Sequence, residues 1–358
     1  MKQANRLLYF LALVKFITPF LLQNSIYEPH RDEMLYIAEG NHLSWGFMEI
    51  PPLLSLFAWL THQLGNSIFW LKFWPSIFGA LTLLVSGKII LSIGGRSFAI
   101  FIHFLAFLLG SFLRMHFLFQ PNFLEIFFWT LIVYAVIKFI QTTQTKWLYL
   151  LGVFCGLGME SKYSVAFYIL SISMGLIVTK QRKLFLNKHL YFGALIGLAI
   201  FLPNLIWQYL HHFPFVFHMK KLQDTQLQYI SPASFLIDQI IMNFPVVFVW
   251  LTGLYALFFV KVLNDFRFIG FAYLSVIGLF LILHGKNYYS MGAYPVLFAF
   301  GSYQLEAITK NRFKILRALF IGVPLSMTFL LIPIALPILK PNELAAFYEK
   351  KILKIWGY

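Results

Sequence analysis

Four stretches of the chain, 189–219, 239–260, 268–285 and 318–339, contain not one Asp, Glu, Lys or Arg. A helix of roughly 20 mainly apolar residues spans the core of a bilayer. A water-soluble domain cannot carry four such runs and still clothe its surface with charge. Composition points the same way: 60% of the residues are hydrophobic and only 11% are charged, against about 25% charged in an ordinary soluble domain. These figures exclude a soluble enzyme and an intrinsically disordered chain. One cysteine, Cys155, excludes an intrachain disulfide framework. The formal charge of +15 is spread along the sequence. It forms no single basic patch, so nucleic acid is not the partner it indicates.

The chain therefore reads as an all-α polytopic membrane protein. The expected spans are 6–23, 68–91, 97–113, 121–140, 147–161, 163–179, 189–210, 238–260, 267–284, 291–308 and 315–338, about eleven helices in all. Lys15 interrupts the first apolar run and no small-residue cleavage site follows it, so a retained helix is expected there, not a signal peptide. Cytoplasmic loops carry an excess of Lys and Arg. With a cytoplasmic N-terminus, the inside segments hold Lys2, Arg6, Lys88, Arg96, Lys138, Lys146, Lys180, Arg182, Lys183, Lys188, Lys261, Arg267, Lys310, Arg312, Lys314 and Arg317. The first outside loop instead gathers Glu28, Asp32, Glu33, Glu39 and Glu49. Much of the net charge is thus a topology signal. Residues 1–338 form one transmembrane domain in this reading, with external loops at 24–67 and 211–237. Residues 339–358 form a short interfacial tail on which Leu344, Tyr348, Ile352 and Ile355 share a face and Trp356 is a headgroup anchor.

The outside loops supply the chemistry. Glu28-Pro29-His30-Arg31-Asp32-Glu33 precedes an amphipathic stretch, and Glu49-Ile50-Pro51-Pro52 opens a segment, 51–64, too short to span and expected to lie at the surface. Asp32 and Glu33 at the water–lipid boundary suit general-base work; the plain alternative is a solvated acidic loop. Gln120-Pro121-Asn122, with Glu125 one turn on, suits orientation of a sugar or acceptor hydroxyl, or is an ordinary helix cap. Lys162, in Glu160-Ser161-Lys162-Tyr163, suits a phosphate, or closes a tight turn as a Glu–Lys pair. Lys286, Tyr288 and Tyr289 offer phosphate and sugar donors, or belong to an interfacial belt. His211, His212, His218, Lys220 and Lys221 form a basic outer loop beside an anionic headgroup; their spacing fits no helical zinc motif, so no metal is expected. There is no P-loop, no Gly-x-Ser-x-Gly elbow and no Gly-rich dinucleotide fingerprint.

Arg31-Asp32-Glu33-Met34-Leu35-Tyr36, followed about twenty positions later by Pro51-Pro52-Leu53, resembles the first external loop of the family 39 glycosyltransferases, the protein-mannosyltransferase and aminoarabinose-transferase relatives with the GT-C membrane fold. Gly158-Met159-Glu160-Ser161-Lys162-Tyr163, Leu202-Pro203-Asn204-Leu205-Ile206-Trp207 and Lys286-Asn287-Tyr288-Tyr289 with Tyr294-Pro295 are similar to further segments of that family, so the likeness runs from about residue 25 to 305. Asn122 departs from it, standing where many relatives have an acid.

The resemblance implies a polyprenyl-phosphate monosaccharide as donor, used on the extracytoplasmic face of a bacterial plasma (inner) membrane. It implies Asp32 as general base, an inverting transfer, and Glu33 holding the site or acceptor. Lys162 and Lys286 would neutralise the departing phosphate, with Tyr288 and Tyr289 as donors. Asn122, Glu125, His218 and Lys220 are the remaining candidates for substrate contact. No cofactor or obligate metal is expected, and the acceptor is a lipid, a glycan or a protein. Two rivals stand beside this reading: a multi-pass transporter or flippase for a lipid-linked or amphipathic solute, and a non-catalytic subunit that keeps the fold. A transporter more often places coupling charges near the midplane and shows repeat symmetry; neither is evident in the sequence.

Overall fold

The computed structural model describes residues 2–24, 26–310 and 313–348. Its helices are α1 (Lys2–Leu21), α2 (Arg31–Glu39), α3 (Leu53–Gln63), α4 (Ile68–Ser92), α5 (Ser97–Leu109), α6 (Phe112–Met115), α7 (Asn122–Thr142), α8 (Lys146–Ser161), α9 (Val165–Ile177), α10 (Lys188–Leu210), α11 (Pro214–Thr225), α12 (Pro232–Ile241), α13 (Val247–Phe259), α14 (Arg267–Ile282), α15 (Tyr294–Thr309), α16 (Lys314–Ala335) and α17 (Pro341–Phe347). Every expected span is occupied by a helix. Five of the described helices, one of them extended by its preceding 3-10 turn, are long and apolar enough to cross a bilayer alone, and a sixth crossing results if the bent α12–α13 pair is counted as one. Most of the others, such as α5 and α9 at 13 residues each, are shorter, although α16 has 22. In the tail, Leu344 lies on α17, whereas Ile352, Ile355 and Trp356 fall outside the described residues.

Lipid offers helices no hydrophobic reason to associate, so close packing through small residues decides which ones pair. On α8 and α10, Gly152 and Gly156 face Gly193 and Gly197, and a Cβ on Gly152 would lie 1.8 Å from the Gly193 carbonyl oxygen. Gly253 of α13 and Gly301 of α15 repeat the device: a Cβ on Gly301 would meet the Val249 carbonyl at 1.8 Å. Ends are stitched by charge. The Glu306 carboxylate on α15 accepts the backbone N–H groups of Arg96, Phe98 and Ala99 at the start of α5, a favourable place for an anion.

One span differs from expectation. The run 238–260 is not a single helix, because α12 and α13 meet at a 66° bend. Pro245 in the intervening turn has no N–H and disfavours helical backbone in the residue before it, so the chain breaks there. The bend turns α12 toward the loop that carries Lys286.

The first external loop is built, not loose. His30 caps α2 by accepting the Asp32 N–H at 3.2 Å, and the Glu33 carboxylate returns to the His30 N–H at 2.8 Å. On α3, Leu54, Ala58 and Thr61 share the buried face. Trp45 and Phe47 offer their carbonyls to Asn204 and Gln208 of α10, which pins the loop to that helix. Glu33 is wholly buried. Its Oε1 accepts both Lys72 Nζ of α4 at 2.6 Å and the Phe119 N–H at 2.7 Å. Removing one member of such a pair leaves a buried charge unpaired, at a cost of about 3–5 kcal/mol. Glu33→Gln is therefore expected to lower the thermal unfolding midpoint in detergent sharply, with part of the loss recovered in the Glu33→Gln/Lys72→Met double variant.

Candidate functional site

Asp32 and Tyr36 lie one turn apart on α2, so they face the same way. That face opens onto a cavity of about 1010 Å³ lined from five separate regions of the sequence. Asp32, Asn122, Lys162, Lys286, Tyr288, Tyr289, His218 and Lys220 all line it. Eight of the ten residues singled out in the sequence thus converge on one space, although some lie more than 200 positions apart. Glu33 and Glu125 are absent from its lining. Glu33 turns into the Lys72 pair, and Glu125 serves as the buried counterion of Lys162 at 2.6 Å, also accepting the Ser164 hydroxyl.

The polar groups are already organised. Lys162 Nζ donates to Asn122 Oδ1 at 2.9 Å and lies 4.8 Å from the centroid of the Tyr289 ring and 5.5 Å from that of Tyr288. Asn122 Nδ2 donates to Gln120 Oε1 at 3.2 Å, and Gln120 Nε2 donates to Asp32 Oδ2 at 3.1 Å. Asp32 also accepts from Arg31 Nε at 3.2 Å, and its side chain is 37% exposed, open to a ligand yet held by neighbours.

The turn that presents Lys286, Tyr288 and Tyr289 is fixed by Gln239 of α12. Gln239 Oε1 accepts from Ser290 at 2.5 Å and Tyr294 at 2.8 Å, while Nε2 donates to the Phe235 and Asn287 carbonyls. Asp238 accepts from Asn287 Nδ2 at 3.1 Å. Above the cavity, α11 buries none of its residues fully and joins α10 through His212 and Phe213, both in left-handed backbone with φ of 59° and 54°.

Both signs of charge line the cavity: the acids Asp32 and Glu49, and the bases Arg31, Lys162, Lys220 and Lys286. Burial pushes the Tyr288 phenol up to about 12, with the Glu125 and Asp32 carboxylates adding to the effect, and Tyr289 is raised in the same way, so both remain hydrogen-bond donors. Burial lowers Lys286, the Lys162 ammonium lowers it further, and Asp32 opposes both. His218 is lowered by burial, opposed by Glu49 and reinforced by Lys286 and Lys221. Outside the lining, burial pushes Glu39 up to about 7, against the hydroxyl of Ser55, which donates to it at 2.9 Å, and with help from Glu49.

Tyr36, Glu49 and Gln120 also line the cavity, and none of the three was assigned a role of its own from the sequence. Tyr36 carried a signal, its i+4 spacing from Asp32 on a capped helix. Glu49 carried a weaker one, an acid directly before Pro51-Pro52. Gln120 stood in a recognised motif but was passed over in favour of Asn122. Among the described residues no cluster of three or more His, Cys, Asp or Glu is arranged to hold a metal ion.

Comparison with known proteins fits this geometry. The chain has the GT-C membrane fold: over 94% of its length it superposes on 66% of the chain of ArnT from Cupriavidus metallidurans, in a crystal structure bound to undecaprenyl phosphate, with a TM-score of 0.71 at 16% identity. Residues 49–207 match the family described as dolichyl-phosphate-mannose-protein mannosyltransferase. The resemblance to the family 39 glycosyltransferases read from the first external loop is thus met by a family match that begins within that loop, at residue 49, and takes in Asn122, Glu125 and Lys162. No curated protein matches the sequence. The chain is a multi-pass membrane protein.

The lowered Lys286 gives a signed expectation. A lysine attracts an anion only while protonated, so its contribution is present at low pH and is lost as pH rises through its lowered pKa. Binding of a phosphate monoester is expected to weaken on the alkaline side below the ordinary lysine range. Lys286→Arg should carry binding to higher pH, because a guanidinium stays charged. A pH series of binding isotherms checks both.

Proposed function

We propose that this protein is a polyprenyl-phosphate-dependent glycosyltransferase with Asp32 as its general base. One observation carries the reading: a partly exposed carboxylate and a pair of lysines backed by two phenols line one cavity, and an apolar groove adjoins that cavity at Met159 and Phe201. The groove, of about 430 Å³, shares Met159 and Phe201 with the main cavity and continues between α7, α8, α9 and α10 past Leu151, Cys155 and Ile172. Its lining suits a prenyl chain, and its junction with the cavity brings a lipid-borne phosphate to Lys162 and Lys286. The crystal structure of ArnT with undecaprenyl phosphate supports a lipid of this class.

The chemistry follows from the charges. An acceptor O–H attacks the anomeric carbon, the bond from that carbon to the phosphate oxygen breaks, and Asp32 takes the acceptor proton. The polyprenyl phosphate leaves with the bonding pair, and its added charge is met by Lys162, Lys286 and the phenols of Tyr288 and Tyr289. Attack from the face opposite the phosphate inverts the anomeric centre. Lys220 and His218 on α11 and Glu49 beneath them face the space left for sugar and acceptor. Glu33 and Glu125 act behind the surface, the first by holding α2 in place, the second by pairing with Lys162. The basic loops at the opposite end of the bundle orient this cavity to the extracytoplasmic side of a bacterial inner membrane.

Lipids that co-purify with the protein test this. Mass spectrometry is expected to find polyprenyl phosphate, with and without a sugar, on the parent protein, and little on Lys162→Met or Lys286→Met. Asp32→Asn keeps the shape and removes the base, so it should retain the sugar-charged lipid while transfer falls by about 10²–10⁴. Transfer by Asp32→Asn at the parent rate, or lysine variants that keep the lipid, would contradict the reading.

A further inference from the structure

Between the carboxylate of Asp32 and the ammonium of Lys162 run two side-chain amides, and the chemistry at the two ends dictates how both must point. An ammonium only donates, so Asn122 presents Oδ1 to Lys162, at 2.9 Å. That leaves Nδ2, a donor, for Gln120, which must answer with Oε1, at 3.2 Å. Gln120 then has only Nε2 left for Asp32, whose ionised carboxylate only accepts, at 3.1 Å. Every hydrogen bond points the same way, from cation to carboxylate. Such a series strengthens itself, because each donor is polarised by the acceptor role of its own group.

We infer that Gln120 and Asn122 are a positioning pair that links occupancy of the phosphate site at Lys162 to the freedom of Asp32. This rests on the donor reading above. Lys162 already holds two acceptors, Asn122 and Glu125. The ammonium's third N–H has the Tyr289 and Tyr288 rings beside it, at 4.8 and 5.5 Å, so a phosphate that draws on Lys162 from the cavity competes with one of the two acceptors. Glu125 is buried, with its side chain 2% exposed, and its other oxygen takes the Ser164 hydroxyl. Giving up that ion pair leaves a carboxylate unpaired out of water, which is costly. Asn122 is neutral and is the partner that yields. Once Asn122 turns away, Gln120 loses the donor that fixes its Oε1, and its grip on Asp32 Oδ2 loosens. The carboxylate is then free to turn to an acceptor hydroxyl. Donor phosphate therefore comes first and the base is released second. The relay also explains why an amide stands at position 122: an aspartate would accept from Lys162 but has no hydrogen to pass to Gln120.

The test uses the full-length protein in nanodiscs with undecaprenyl phosphate as the probe. Gln120 makes no hydrogen bond to Lys162, yet Gln120→Leu is expected to tighten binding by about two- to tenfold, the scale of one net hydrogen bond. The same substitution in an Asn122→Leu background should change affinity by less than about twofold, because the connection is already cut. Asn122→Asp should weaken binding by adding a second anion against Lys162. An unchanged affinity in Gln120→Leu, or an equal factor in both backgrounds, overturns the relay. Should undecaprenyl phosphate fail to bind the parent protein, the donor reading falls, and the relay is decided by thermal unfolding alone. The midpoint shifts of Gln120→Leu and Lys162→Met are expected to be non-additive with Asn122 present and additive in Asn122→Leu; additivity in both overturns it.

Discussion

The site depends on one buried ion pair. Glu33 and Lys72 meet at 2.6 Å with both side chains almost wholly removed from solvent. Glu33 spends its remaining capacity on the His30 and Phe119 N–H groups. Three segments are thereby locked together: the start of α2, the second turn of α4 and the turn before α7. Asp32 is the residue before Glu33, and Gln120 is the residue after Phe119. The pair thus sets the distance between the carboxylate and the amide that holds it. A buried pair of this kind is weak evidence for stability as such, because an apolar replacement of similar volume is often tolerated. Its value here is positional.

From this lock outward, the cavity is an assembly of helix ends. Small-residue crossings bring α8 against α10 and α13 against α15; the first sets Tyr163 against Asn204, to which its hydroxyl donates at 3.1 Å, and α12 holds the Lys286–Tyr289 turn through Gln239. Each cation is tuned by what surrounds it. Lys162 is paired with Glu125, whereas Lys286 is depressed by burial and by Lys162, with Asp32 as the opposing charge.

Much of this was legible in the sequence, for physical reasons. Apolar runs the length of a bilayer admit little else than spanning helices, and the sidedness of Lys and Arg separates a basic end from an acidic one. The ionisable residues of the acidic end had to be either solvated or gathered, and eight of ten candidates are gathered. What stayed hidden was which way each side chain turns. Asp32 and Glu33 are neighbours on one helix, yet a rotation of one residue sends the first to the cavity and the second to Lys72. Lys72 lay inside an expected span and gave no hint of its partner 39 positions earlier. The break at Pro245 was obscured by an uninterrupted apolar run, since hydropathy carries no record of a missing backbone donor. Gln120 looked like a loop residue because the value of an amide depends on what stands at both of its ends.

The most direct measurement is a structure of the protein with undecaprenyl phosphate bound, by electron cryomicroscopy in nanodiscs. The account places the phosphate between Lys162 and Lys286, within hydrogen-bond reach of Tyr288 or Tyr289, with the first isoprene units passing Met159 and Phe201. A headgroup found elsewhere, for example in the smaller cavity beside Lys72 and Arg114, would contradict it.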